Sequence, residues 1–200
     1  MKRLVYLISP LKIDKRFYRN LDKVLSFKNV EFFQLRLKNT KISNLKKIAN
    51  RVKKITTKHK VKFLLNDNFL LANKFEADGC HMGQLDGSIQ TARKKLKNKI
   101  LGVTCHNSKR LAISAVKLKA DYIALGSFFK SKLKPNAKKA NINILKWSKK
   151  NIKRPIVVIG GINNLNYKRL LNAGAKYIAI SSFIWDNPKL KPEIAIRKFK

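Results

Sequence analysis

Four of the ten acidic residues in this chain fall within residues 66–86, NDNFLLANKFEADGCHMGQLD, as Asp67, Glu76, Asp78 and Asp86. Carboxylates are scarce here: 47 lysines and arginines give a formal net charge of +37 over 200 residues. Two carboxylates brought to one place can share a hard divalent cation, and Asp67 and Asp86 each follow an apolar run that can end beside the other. A plainer role competes for Asp67, because a short acidic acceptor satisfies free backbone N–H groups at a helix start, and NFLLANKF follows it. Upstream, FFQLRLK alternates Gln34, Arg36 and Lys38 with Phe33, Leu35 and Leu37. Successive strand side chains face opposite ways, so one amide and two cations share a face. That arrangement suits an anion; a solvated strand end is the alternative.

Three further stretches suit phosphate chemistry. GSFFKSKLK carries Lys130, Ser131, Lys132 and Lys134 after an apolar run, IGGIN carries Gly160 and Gly161, and IAISSF ends in Ser181 and Ser182. Glycines let backbone N–H groups approach a phosphate closely, and helix starts favour anions. Cys80-His81 and Cys105-His106 raise the question of zinc, but neighbours on a strand point apart and the spacings match no zinc pattern. His59, Glu76, Asp78 and Asp121 are read without chemistry: His59 and Glu76 as surface residues, the two aspartates as strand starts.

These residues need a frame that gathers strand ends. Apolar, β-branched runs recur at residues 3–9, 30–36, 61–66, 78–83, 99–104, 121–126, 155–160 and 176–181. Between them, Ile42, Leu45, Ile48, Ala49, Val52 and Ile55 repeat with helical period, and Leu165, Leu170 and Leu171 precede a glycine stop at Gly174. Strands alternating with helices predict a parallel sheet. About 25 residues per unit fits a compact (β/α)8 TIM barrel spanning residues 1–200 as one domain. An open doubly wound sheet is the rival, but ISPLKIDKR has none of the glycines its first turn needs. In such a barrel the strand C-terminal ends and their loops build the site.

Ser9 and Pro10 interrupt the only signal-like start, and no run approaches the roughly eighteen apolar residues that span a bilayer. The expected compartment is the cytoplasm, where two unpaired cysteines are at home. The lysines are spread over every predicted helix with no nucleic-acid-binding motif, so a solvated basic surface is expected rather than a specific nucleic-acid partner. No residue pattern dictates an oligomeric state.

The motifs together resemble the thiamine phosphate synthase family. QLRLK is similar to its Q-x-R-x-K, and LLNDNFLLANKFEADGCHMGQLD to its N-D followed by A-D-G-x-H-x-G-Q-x-D. LGVTCHN, DYIALGSFF, KPNA, VVIGGI and NAGA match further family motifs in order, nearly end to end. The resemblance implies a Mg2+-dependent transferase that joins 4-amino-2-methyl-5-hydroxymethylpyrimidine diphosphate to a thiazole phosphate. It implies that Gln34, Arg36, Lys38 and Asn66 hold the pyrimidine diphosphate, with Thr104 where the family has serine and Lys134 on the diphosphate. It further implies Asp67 and Asp86 as Mg2+ ligands, and Gly161, Ser181 and Ser182 around the thiazole phosphate. Arg36, Lys38 and Lys134 would carry the catalysis by neutralising leaving-group charge.

The chain departs from the family in one loop. Where the family reads P-T-x-T-K, this sequence has Lys130-Ser131-Lys132-Leu133-Lys134, and Leu133 supplies no hydroxyl. Ser131 can still replace one threonine, so the thiazole side is weakened while the diphosphate side is intact. Two rivals share the barrel: a metal-free thiazole tautomerase using a histidine near TCHN, such as His106, and an impaired paralogue that only binds a phosphorylated ligand.

Overall fold

The computed structural model describes residues 3–130 and 139–200. Eight strands form the centre: β1 (Val5–Ile8), β2 (Val30–Leu35), β3 (Lys62–Asn66), β4 (Gly79–Met82), β5 (Ile100–His106), β6 (Tyr122–Gly126), β7 (Ile156–Ile159) and β8 (Tyr177–Ile180). Each coincides with one of the apolar runs. All neighbours pair in parallel in chain order, and β1 closes on β8 with Val5 opposite Ile178. The result is the expected (β/α)8 barrel.

The outer layer consists of α1 (Lys15–Leu25), α2 (Ile42–Lys58), α3 (Phe69–Lys74), α4 (Ile89–Leu96), α5 (Lys109–Lys117), α6 (Ile142–Asn151) and α7 (Tyr167–Asn172). Short α8 (Ser182–Trp185) and α9 (Pro192–Ala195) follow β8. Side chains of Asp14, Asn68, Ser88, Ser108 and Asn141 each accept a backbone N–H at a helix start. Such caps satisfy donors the helix cannot pair itself, each contributing about 1 kcal/mol. Among the described residues no helix is long and apolar enough to cross a membrane.

Strand alternation divides the core in two. Phe33, Leu35, Cys80 and Val103 face outward and bury themselves against the helices. Tyr6, Ile8, Phe32, Leu64, Tyr122, Ala124, Val157 and Ala179 fill the barrel interior. At the start of the strands a device repeats: the Asp78 carboxylate accepts the Phe63 N–H at 2.7 Å, and the Asp121 carboxylate accepts the Leu101 N–H at 2.8 Å. Both aspartates therefore lie at the end away from the strand C-termini, as expected, and Arg93 pairs with Asp121 at 2.6 Å.

Three local expectations are corrected. Asn68, not Asp67, caps α3 by accepting from the Leu71 N–H, while Asp67 sits just before it at φ 67°. His59 is not a surface residue: it ends α2 with its side chain 13% exposed and its Nε2 2.8 Å from the Asp22 carboxylate. Leu165 lies outside α7 and is 87% exposed, although the helix does stop at Gly174, which adopts φ 120°. Glu76 is exposed and pairs with Lys53, as a surface acid should.

Candidate active site

At the C-terminal ends of the strands, polar residues replace the apolar filling. Gln34 is buried at the end of β2, one pleat above Phe32, and its Nε2 donates to Asn66 Oδ1 at the end of β3. Burying a primary amide is tolerable because that bond is made. The strand stops at Leu35, so Arg36 and Lys38 lie in the following loop rather than on the extended face expected for them. Ser9, a buried residue after β1, holds the Arg36 backbone there: its hydroxyl accepts the Arg36 N–H at 2.9 Å.

Asp67 follows β3, its backbone N–H bonded to the His81 carbonyl at 2.8 Å. Its positive φ turns the chain sharply at the mouth, a conformation that aspartate and asparagine adopt more readily than other side chains. Asp86 arrives from the loop after β4, where its Oδ2 accepts the Gly83 N–H at 2.6 Å. The two carboxylates act directly on each other across the mouth. Burial, then the hydrogen bond and repulsion from Asp86, push the Asp67 carboxyl up from 3.8 to about 6, while Arg36 and Lys38 draw it back down. Acids from two loops and cations from a third thus act on one point.

That donor set is all oxygen, which suits a hard cation such as Mg2+, whose remaining positions are usually filled by water and substrate phosphate. The chemistry of the donor set tests the fit: two carboxylates facing each other raise the Asp67 carboxyl, a repulsion that a cation held between them would relieve. The Cys80 and Cys105 thiols face the layer between strands and helices, away from the mouth. His81 faces inward, with Nδ1 2.8 Å from the Tyr122 hydroxyl and Nε2 2.8 Å from Thr104 Oγ1. His106 ends β5, exposed, at φ 51°.

The expected thiazole-phosphate side is held together by packing and hydrogen bonds of its own. Gly160 and Gly161 have φ 105° and 61°, and a Cβ on Gly161 would lie 2.3 Å from the Lys130 carbonyl oxygen. Both glycines are therefore required by close packing of the β6 and β7 ends, whatever they bind. Ser181 Oγ donates to the Ser9 carbonyl at 3.0 Å, and the Trp185 Nε1 donates to the Ile8 carbonyl. The Ser181 proton is thus committed to holding β8 against β1, while Ser182 opens α8. Ser131, Lys134 and the altered loop at Leu133 lie outside the described residues.

Sequence reasoning missed Ser9, His81 and Tyr122. The inward direction of His81 was legible in the alternation of GCHM, but its partners were not. Two surface concavities, of about 620 Å3 beside Phe27 and Tyr167 and about 790 Å3 beside Lys62 and Asp78, lie outside the mouth. Their size does not make them the better candidates, since neither gathers the paired carboxylates and amides found at the strand ends.

Comparisons with known proteins point the same way. The profile of the thiamine monophosphate synthase family matches residues 5–184. A thiamine-phosphate synthase of Pelagibacter ubique is 55% identical, covering 100% of this chain and 97% of its own length. One from Erythrobacter litoralis is 38% identical over 90% of this chain and 87% of its own. The solved structure of a thiamine phosphate pyrophosphorylase from Pyrococcus furiosus superposes with a TM-score of 0.87 at 26% identity, covering 98% of this chain and 93% of that one. The chain belongs to the thiamine monophosphate synthase family of transferases.

Proposed function

We propose that this protein is a Mg2+-dependent thiamine phosphate synthase. It takes 4-amino-2-methyl-5-hydroxymethylpyrimidine diphosphate and thiazole phosphate and releases thiamine phosphate and diphosphate. The observation that carries the reading is the meeting of Asp67 and Asp86 beside Arg36 and Lys38 at the barrel mouth.

The reaction is a dissociative displacement at the pyrimidine methylene carbon. Its C–O bond breaks with the electron pair leaving on diphosphate, and the thiazole nitrogen lone pair then forms the new C–N bond. Such a step needs charge neutralised on the leaving group more than it needs a nucleophile. Arg36 and Lys38 supply fixed positive charge to that oxygen cluster. Gln34 and Asn66, locked to each other, orient the pyrimidine diphosphate. Thr104 faces the same substrate, and Lys134 and Ser131 complete the anion-binding loop. Gly161 and Ser182 contact the thiazole phosphate through the backbone and a hydroxyl, with Ser181 beside them holding β8 against β1. Asp67 and Asp86 would hold Mg2+, which when bound supplies Lewis-acid neutralisation of the departing diphosphate.

Purified protein mixed with both substrates and Mg2+ should form thiamine phosphate and release diphosphate. Absence of product, with thiazole isomerised in the absence of metal, would replace this reading with the tautomerase. Asp67→Ala together with Asp86→Ala should abolish Mg2+-dependent turnover, and unchanged turnover would sink the metal assignment.

A further inference from the structure

The barrel interior holds a chain of polar groups of which the proposed reaction uses only the last, Thr104, directly. The Tyr6 hydroxyl is 2.8 Å from that of Tyr122, which is 2.8 Å from His81 Nδ1; His81 Nε2 is 2.8 Å from Thr104 Oγ1. Tyr6 and Tyr122 are fully enclosed, and burial pushes both phenols far above their ordinary values, so each keeps its proton. Tyr6 is otherwise surrounded by Ile8, Phe32, Leu64 and other apolar side chains. Among the described residues its hydroxyl has the single partner Tyr122.

Proton counting then gives the chain a direction. The Tyr6 proton has one acceptor within reach, the Tyr122 oxygen. The Tyr122 proton must therefore go to His81 Nδ1, which leaves the imidazole proton on Nε2, donating to Thr104. The opposite tautomer would put three protons on the two bonds at Tyr122 and strand either the Tyr6 or the Tyr122 proton in an apolar core, where an unpaired donor costs more than a paired one contributes. An imidazolium, donating at both nitrogens, meets the same objection.

We propose that Tyr6 and Tyr122 fix His81 as its Nε2–H tautomer and thereby make the Thr104 hydroxyl a hydrogen-bond donor into the mouth, selecting a lone-pair acceptor on the pyrimidine substrate. His81, Tyr122 and Tyr6 are positioning residues in this scheme, acting through Thr104. The identity of the acceptor rests on the synthase reading; the tautomer does not.

Long-range 1H–15N correlation on the wild-type protein tests the tautomer directly, since the chain has only three histidines and His59 and His106 can be assigned by substitution. The Nε2–H pattern is expected at His81, and an Nδ1–H or doubly protonated ring overturns the proposal. Kinetics test the second half. His81→Phe, which keeps the ring stacked on Tyr122, and Thr104→Val should each raise the KM for the pyrimidine diphosphate or lower kcat/KM for it by roughly 10–100-fold. The KM for thiazole phosphate should stay unchanged. The double variant should be no worse than Thr104→Val alone, because His81 has nothing left to position. Multiplying losses, or equal effects on both substrates, would assign His81 a merely structural role. A wild-type protein that turns over no substrate would refute the synthase reading, while the tautomer measurement would still decide the inference.

Discussion

Substituting Asp67 by asparagine should make the metal-free protein more stable while removing its activity. The gap between an ordinary aspartate at 3.8 and the value of about 6 reached by Asp67 corresponds to ~3 kcal/mol of strain on the ionised form at neutral pH. Asp67 is only half-buried, and solvent screening reduces this to ~1–1.5 kcal/mol. The folded state holds the Asp67 proton more tightly than the unfolded chain does. The penalty is therefore absent below 3.8, builds as the pH rises from there to about 6, and is complete above it. Asparagine tolerates the backbone at φ 67° and can donate to Asp86, so no new strain confounds the comparison. In chelator at pH 7.5, Asp67→Asn should melt ~2–5 °C above wild type, and the difference should vanish near pH 3.5. Mg2+ should then stabilise the wild type, by ~1.4 kcal/mol at ten times its Kd, and leave the variant unmoved. A variant less stable than wild type at pH 7.5, or a gain that persists at pH 3.5, would refute the burial and repulsion of the Asp67 carboxylate on which the metal argument stands.

Three further outcomes are expected. Asn29 is buried and its Nδ2 donates to the carbonyls of Ile196 and Phe199, so Asn29→Ala should cost ~2–4 kcal/mol in urea denaturation and speed amide exchange in residues 196–200; unchanged exchange there would show that the C-terminal segment is held elsewhere. Gly161→Ala, with its Cβ driven to 2.3 Å from the Lys130 carbonyl at φ 61°, should lower stability by roughly 2–4 kcal/mol, and a variant as stable as wild type would mean the loop relaxes freely. Asp22 is held below its ordinary value first by the hydrogen bond from Lys58 and then by that from His59; its contribution is present above 3.8 and lost as pH falls through the lowered folded value. With 40% of its side chain exposed, Asp22→Asn should cost only ~0.5 kcal/mol at pH 7, less in high salt, and nothing once wild type is itself protonated.

Much of the frame was legible in the chain. A strand's apolar run and a helix's spacing are written within a dozen neighbouring residues, so all eight strands and the long helix over Ile42, Leu45 and Val52 could be placed without knowing their neighbours. The polar residues at strand ends were legible for the same reason, since a barrel leaves few other places for Gln34, Asn66 or Thr104 to break an apolar run. Local chemistry was harder where two adjacent residues could do one job: Asp67 and Asn68 are both good caps, and only the turn at φ 67° hands the cap to Asn68 and frees Asp67 for Asp86.

Contacts between distant elements belong to the tertiary structure alone. Ser9 meets Arg36 and Ser181 because β1 lies between β2 and β8 once the barrel closes. Gly160 and Gly161, which suggested a phosphate loop, are demanded by the backbone of residues 127–130 pressing on them. Tyr6 and Tyr122 are 116 positions apart, yet share a proton path with His81. Periodicity specifies which face a residue takes, because that depends on the backbone repeat; which partner it meets there depends on strand register and closure, which every strand sets together.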